Sequence, residues 1–144
     1  MSDHRELAGE TYNAAWDLLD SHERTRDEDD AMLTLAFVSR YHWGRAGGED
    51  EQLAVGDWFI GHVAAHLGMA NVAARFSGRA LERVRATGIR GWLLASVYEG
   101  MARASACLGD AAERSRYEAM AEEALDAIDD PEEREVVEEQ LRSI

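Results

Sequence analysis

Residues 57–81 read DWFIGHVAAHLGMANVAARFSGRAL. Apolar side chains recur here at helical spacing, and Gly68 divides the run into two helices. Ile60-Gly61 and Ala64 precede the break; Ala73 and Ala80-Leu81 follow it. Small residues at these positions suit two antiparallel helices in close contact, because the side chains at the crossing set the distance between axes. Residues 97–121, VYEGMARASACLGDAAERSRYEAMA, repeat the arrangement with Met101-Ala102, Gly109, Asp110, Tyr117 and Ala121.

Working outward, the spacing predicts seven helices. The first spans Asp3 to Glu23, with Tyr12, Ala15, Trp16 and Leu19 on one face and Asp3 and Glu6 as a cap pair. The next four span Asp29–Ala46, Glu51–Leu67, Ala70–Ala86 and Ile89–Leu108. A sixth runs from the cap Asp110, with Glu113 three residues on, to Ile128. The seventh starts at Pro131 behind Asp129 and Asp130, and its Val137, Leu141 and Ile144 suit a terminal lid. Pro131 is the only proline, so no helix interior is broken. Short linkers make neighbouring helices antiparallel. The expected architecture is all-α: one domain over residues 1–144, built of three stacked helical hairpins and a C-terminal capping helix.

Composition narrows the function. Apolar residues make up 46% of 144, enough for a core. The longest apolar stretch, AMLTLAFV, falls well short of the roughly 20 residues that span a bilayer. The charged start MSDHRELAGE lacks an apolar signal core, and one cysteine, Cys107, forms no internal disulfide. A cytoplasmic protein is expected. All fifteen basic residues are arginine, which excludes a lysine Schiff base or a phosphate-loop lysine. The net charge of −14 is carried by the ends, with ten acids against three arginines in residues 1–30 and thirteen against four in residues 110–144. Such a distribution argues against nucleic acid as partner. Glycine-rich phosphate loops, paired cysteines and nucleophile elbows are all missing, so no cofactor is expected.

Residues 39–45, SRYHWGR, concentrate reactive side chains. The helix around them is apolar on most of its circumference, through Met32, Leu33, Leu35, Ala36, Phe37, Val38, Tyr41 and Trp43. A helix of that kind is buried, here between the first and third. Arg40 and His42 are then expected to bond carboxylates or carbonyls. Ser39 and His42 share a face, yet no third group is indicated to orient the histidine. The arginine stripe Arg75, Arg79, Arg83 is read as a solvated face partnered by Glu82 and the acidic ends.

The two related segments resemble the tetratricopeptide repeat over about residues 55 to 125. The turn glycines are 41 residues apart, against about 34 in that family, so these helices are longer. With SRYHWGR and GDW, the chain is also similar to uncharacterised bacterial helical-repeat proteins that carry a Ser-Arg-Tyr-His-Trp stretch. The resemblance implies that the third and fifth helices line a concave groove. It places Val55, Trp58, His62, Ala65 and His66, and Ser96, Glu99, Arg103, Ala106 and Cys107, toward a partner. A protein- or peptide-binding module without catalytic activity is the expected function, with a small ligand in the groove as a variant. His62 and His66 stand at H-x-x-x-H spacing, which lets two imidazoles meet one metal ion. Val63 occupies the place where zinc proteases need glutamate. With Cys107 or Glu99 as further ligands, the alternative function is a small metal- or ligand-binding protein of hydrolytic kind. The aromatic second and third helices also suit a two-fold homodimer.

Overall fold

Five of the seven helices start where a side chain bonds a free amide. Asp3 Oδ1 accepts from the Glu6 amide at 2.7 Å and opens α1 (His4–Asp20). Thr25 and Glu28 form a reciprocal capping box ahead of α2 (Arg26–Arg45). The Glu49 amide donates to Gln52 Oε1 at 2.9 Å before α3 (Asp50–His66). α4 (Ala70–Thr87) and α5 (Trp92–Leu108) end on Gly88 and Gly109, whose φ values of 71° and 73° suit a residue without Cβ. Asp110 accepts from the Glu113 amide at 3.1 Å ahead of α6 (Ala111–Leu125), and Asp130 from the Glu132 amide at 2.9 Å ahead of α7 (Pro131–Arg142). The computed structural model describes residues 3–144; among these the chain forms seven α-helices and no strand.

Four boundaries differ from expectation by three residues, and the first is α6, which stops at Leu125 rather than Ile128 because the amides of Asp126, Ala127 and Ile128 bond three residues back instead of four. α1 stops at Asp20 rather than Glu23, because Arg24 reaches back and donates to the carbonyls of Leu18, Leu19 and Ser21. α2 starts at Arg26 rather than Asp29, set by the Thr25 box. α5 starts at Trp92 rather than Ile89, because Gly91 adopts φ 74° just ahead of it.

Successive helices pack most extensively as α1 with α2, α3 with α4, and α5 with α6. α3 also lies beside α5, and α5 beside α7. The α3–α4 crossing is close at Gly61: a Cβ there would stand 2.9 Å from the Ser77 amide nitrogen and 3.2 Å from the Ala73 carbonyl oxygen. Phe59, Ile60, Val63, Leu81, Val84, Leu93 and Val97 form the main core with Met32 and Ala36 of α2. Each large aliphatic side chain so buried stabilises the fold by about 1.5–3 kcal/mol.

The helix buried all round is α3, not α2. Every residue from Gly56 to Ala65 is buried, whereas Phe37 and Tyr41 of α2 are 38% and 60% exposed. α2 packs mainly on α1 and α3, Phe37 also meets Phe76 of α4 edge-on at 5.2 Å, and Tyr41 is left to solvent. The arginine stripe also finds other partners than expected. Arg79 Nε stands 3.6 Å from Asp57 Oδ2, and an Arg83 terminal nitrogen 2.8 Å from Asp50 Oδ1, both acids of α3.

Candidate functional site

Tyr12 and Trp16 of α1, Trp58 of α3, Trp92 and Ser96 of α5, and Glu133, Val136, Val137 and Gln140 of α7 border one cavity of about 350 Å³. Tyr12 and Trp92 also border a second cavity of about 350 Å³, completed by Gly9, Trp43, Glu49, Glu51, Gln52 and Val55. The two share a wall and make one groove. All four tryptophans of the chain line it, and its charged residues are glutamates alone: Glu49, Glu51 and Glu133. The volumes fall at the low end of ligand clefts, roughly 300–1,000 Å³.

The aromatic wall is fixed from behind. Trp16 stacks on Phe59 with centroids 4.9 Å apart, Tyr12 meets the same ring at 4.8 Å, and Trp58 lies 6.2 Å from Trp16. Phe59 is fully buried, so the rings it touches are held in place. Trp58 is itself 3% exposed, while Trp16, Trp43 and Trp92 are half-buried.

Beneath the aromatic layer lies a polar one. His62 stacks on Trp58 at 5.1 Å and meets His66 edge-on at 4.7 Å. Its Nδ1 stands 3.9 Å from Glu99 Oε2. Glu99 is fully buried and pairs with Arg103 at 2.8 Å. Arg103 in turn donates to the Gln140 carbonyl at 2.8 Å and to Ser143 Oγ at 2.7 Å, tying the end of α7 to α5. Burial pushes the His62 imidazole well below its usual range, with His66 and Arg103 adding to the effect. Burial, then Arg103 and Arg24, bring His66 down to about 4. Burial raises the Glu99 carboxyl, against the pull of Arg103. Four buried polar atoms of this region have no hydrogen-bond partner: Trp58 Nε1, His62 Nδ1, Glu99 Oε2 and Gln140 Oε1.

The residues assigned to the groove from sequence divide into three groups. Trp58 and Ser96 border the α7-side cavity, and Val55 borders the other. His62, Glu99 and Arg103 are buried beneath it, engaged with one another and with α7, and present no free surface to a partner. His66 is exposed at the end of α3. Tyr12, Trp16, Trp92 and the α7 residues were not assigned to the groove. Trp16 and Trp92 carried a usable signal, since tryptophan is the side chain that most often anchors an interface. That α7 forms a wall follows from the Arg103–Gln140 and Arg103–Ser143 bonds, which no local pattern announces.

Cys107 Sγ faces the Ala65 carbonyl at 3.4 Å among alanines. Among the described residues no three His, Cys, Asp or Glu side chains converge as a metal site, so His62, His66 and Cys107 do not form one ligand set. In SRYHWGR, Ser39 Oγ donates to the Ala8 carbonyl at 2.8 Å and Arg40 Nε to Asp57 Oδ1 at 3.0 Å. His42 Nδ1 meets His4 Nδ1 at 2.8 Å, an imidazole rather than the carboxylate or carbonyl expected. Only Trp43 of this stretch borders the groove. A separate, wider depression of about 590 Å³ lies between Asp50, Asp57 and Arg75, Arg79 and Arg83. Two of its three arginines are already neutralised by α3 acids.

No protein-family model, curated protein or solved structure matches this chain. No helix among the described residues is long and apolar enough to cross a membrane.

Proposed function

We propose that the protein is a non-catalytic helical-repeat module of tetratricopeptide-like kind that binds a peptide segment of a partner in its tryptophan-lined groove. The observation that carries the reading is the convergence of all four tryptophans on one concave surface. Large rigid aromatic rings concentrate binding energy at interfaces. Two cavities that share Tyr12 and Trp92 offer neighbouring seats for successive side chains of an extended chain. A nucleophile with its base and an oxyanion site, which chemistry on a substrate needs, has no counterpart among its lining residues.

The test is selection of peptides from a random display library on the full chain. Each enriched peptide is then titrated while the four tryptophan indole N–H resonances are followed. The expected result is enrichment of peptides that shift the indoles of Trp16, Trp43 and Trp92. Absence of enrichment, or enriched peptides that leave these indoles unmoved, refutes the reading.

A further inference from the structure

We infer that the peptide taken by the groove is cationic, with arginine or lysine side chains bracketing a short apolar centre. This rests on the peptide-binding reading above and adds the chemistry of the partner.

Charge complementarity is the first ground. The charged residues that border the two cavities are carboxylates only: Glu49 and Glu51 in one, Glu133 in the other. Between them lie the shared rings of Tyr12 and Trp92. All three carboxylates are exposed side chains that take part in no ion pair among the described residues. An aromatic face attracts a cation through its ring quadrupole, and a carboxylate at the rim adds direct attraction.

The chain itself supplies the second ground. The Arg5 guanidinium carbon sits 5.4 Å from the centroid of Trp43, so one ring of this groove already holds a cation from α1. A ligand arginine or lysine repeats that contact at the other rings. Two glutamate-bordered cavities that share Tyr12 and Trp92 call for a ligand with two charges on one chain, which a single small ammonium ion does not supply.

The experiment uses the full chain. Peptides enriched from the random library are sequenced, and the strongest is resynthesised with glutamine in place of each basic residue. Both forms are titrated into the wild type and into E133Q and E49Q/E51Q, with tetramethylammonium chloride as the small-cation probe. Thermal melts establish that the variants are folded, which exposed Glu→Gln changes preserve. The expected result is two basic positions in the enriched peptides, a weaker glutamine form, and a loss of roughly two- to fivefold with each variant that shrinks at high salt. Enrichment of neutral or acidic peptides that still shift the indoles overturns the cationic assignment and leaves the peptide-binding reading intact. Tetramethylammonium binding as tightly as the best peptide overturns the assignment to a peptide. Failure of every peptide to move the indoles removes both.

Discussion

His62 Nδ1 lies 3.9 Å from Glu99 Oε2, and neither atom has a hydrogen-bond partner. The pair is buried between α3 and α5, and Arg103 holds the other carboxylate oxygen. A charged imidazole here would gain Glu99 and still lose its water, with Arg103 and His66 close by. Desolvation prevails, and the ring stays neutral.

His66 reports the same environment at an observable pH. Its folded value of about 4 lies below the ordinary 6.5, so the unfolded chain binds more protons between those values. Stability contributed by the neutral ring is therefore present above pH 6.5 and lost as pH falls toward 4. Histidine ring resonances should show His66 titrating near 4, and H66Q should flatten the fall in melting temperature over that window. A titration of His66 near 6.5 would mean that water reaches its ring and screens Arg103 and Arg24.

Removing Arg103 should cost more than its contacts suggest. R103M leaves the Glu99 carboxylate buried without a cation and releases the end of α7. A loss of about 3–5 kcal/mol in urea unfolding at neutral pH is expected. Glu99 already has a raised pKa, and loss of Arg103 raises it further. The loss should then shrink as pH falls and the carboxyl takes up a proton. Amide exchange in α7 should rise as well. A pH-independent loss would count against an unpaired Glu99.

Asp57 is the second buried carboxylate, 1% exposed between Arg40 and Arg79. D57A strands Arg40, itself largely covered, and should destabilise by a similar ~3–5 kcal/mol in urea unfolding. A change below 1 kcal/mol would mean that Arg40 reaches water freely.

G61A tests the closest helix crossing. The added methyl meets the Ser77 amide and the Ala73 carbonyl, both backbone, so α3 and α4 have to separate. Overpacking of this kind costs about 1–3 kcal/mol. G78A, where nothing lies within 4 Å of the new Cβ, is the control and should not destabilise.

The groove potential is open to fluorescence quenching. At low ionic strength caesium should quench the half-buried Trp16, Trp43 and Trp92 more efficiently than iodide, and Trp58 should resist both. The difference should fall in E49Q/E51Q/E133Q. An equal response of wild type and triple variant would place the field elsewhere on this acidic chain.

Helices were readable because each carries its own evidence: Asp3, Asp110 and Pro131 mark starts, and Gly68 and Gly109 mark turns, within a few residues of each site. Thr25 and Glu28, equally plain as a capping pair, set the start of α2 three residues ahead of the expected Asp29. The groove was harder to read. Repeat register put Trp58 and Ser96 on a face that borders the α7-side cavity, because their placement depends on neighbouring hairpins alone. It also put Glu99 and Arg103 on open surface, since periodicity assigns a face and says nothing of what covers it. α7 covers them, through bonds spanning 37 and 40 residues from Arg103. Trp16 is the reverse case: its apolar face is legible from spacing, and the cavity beside it is a tertiary fact.

The cavity walled by α1 and α7 gives the nascent chain a timetable. While α7 is still in the ribosome, Tyr12, Trp16, Trp58 and Trp92 have three sides of a container and Glu99–Arg103 has no cover. Docking of α7 completes that wall, so a product clipped ahead of Pro131 displays bare indoles and an uncovered Arg103 to chaperones and proteases.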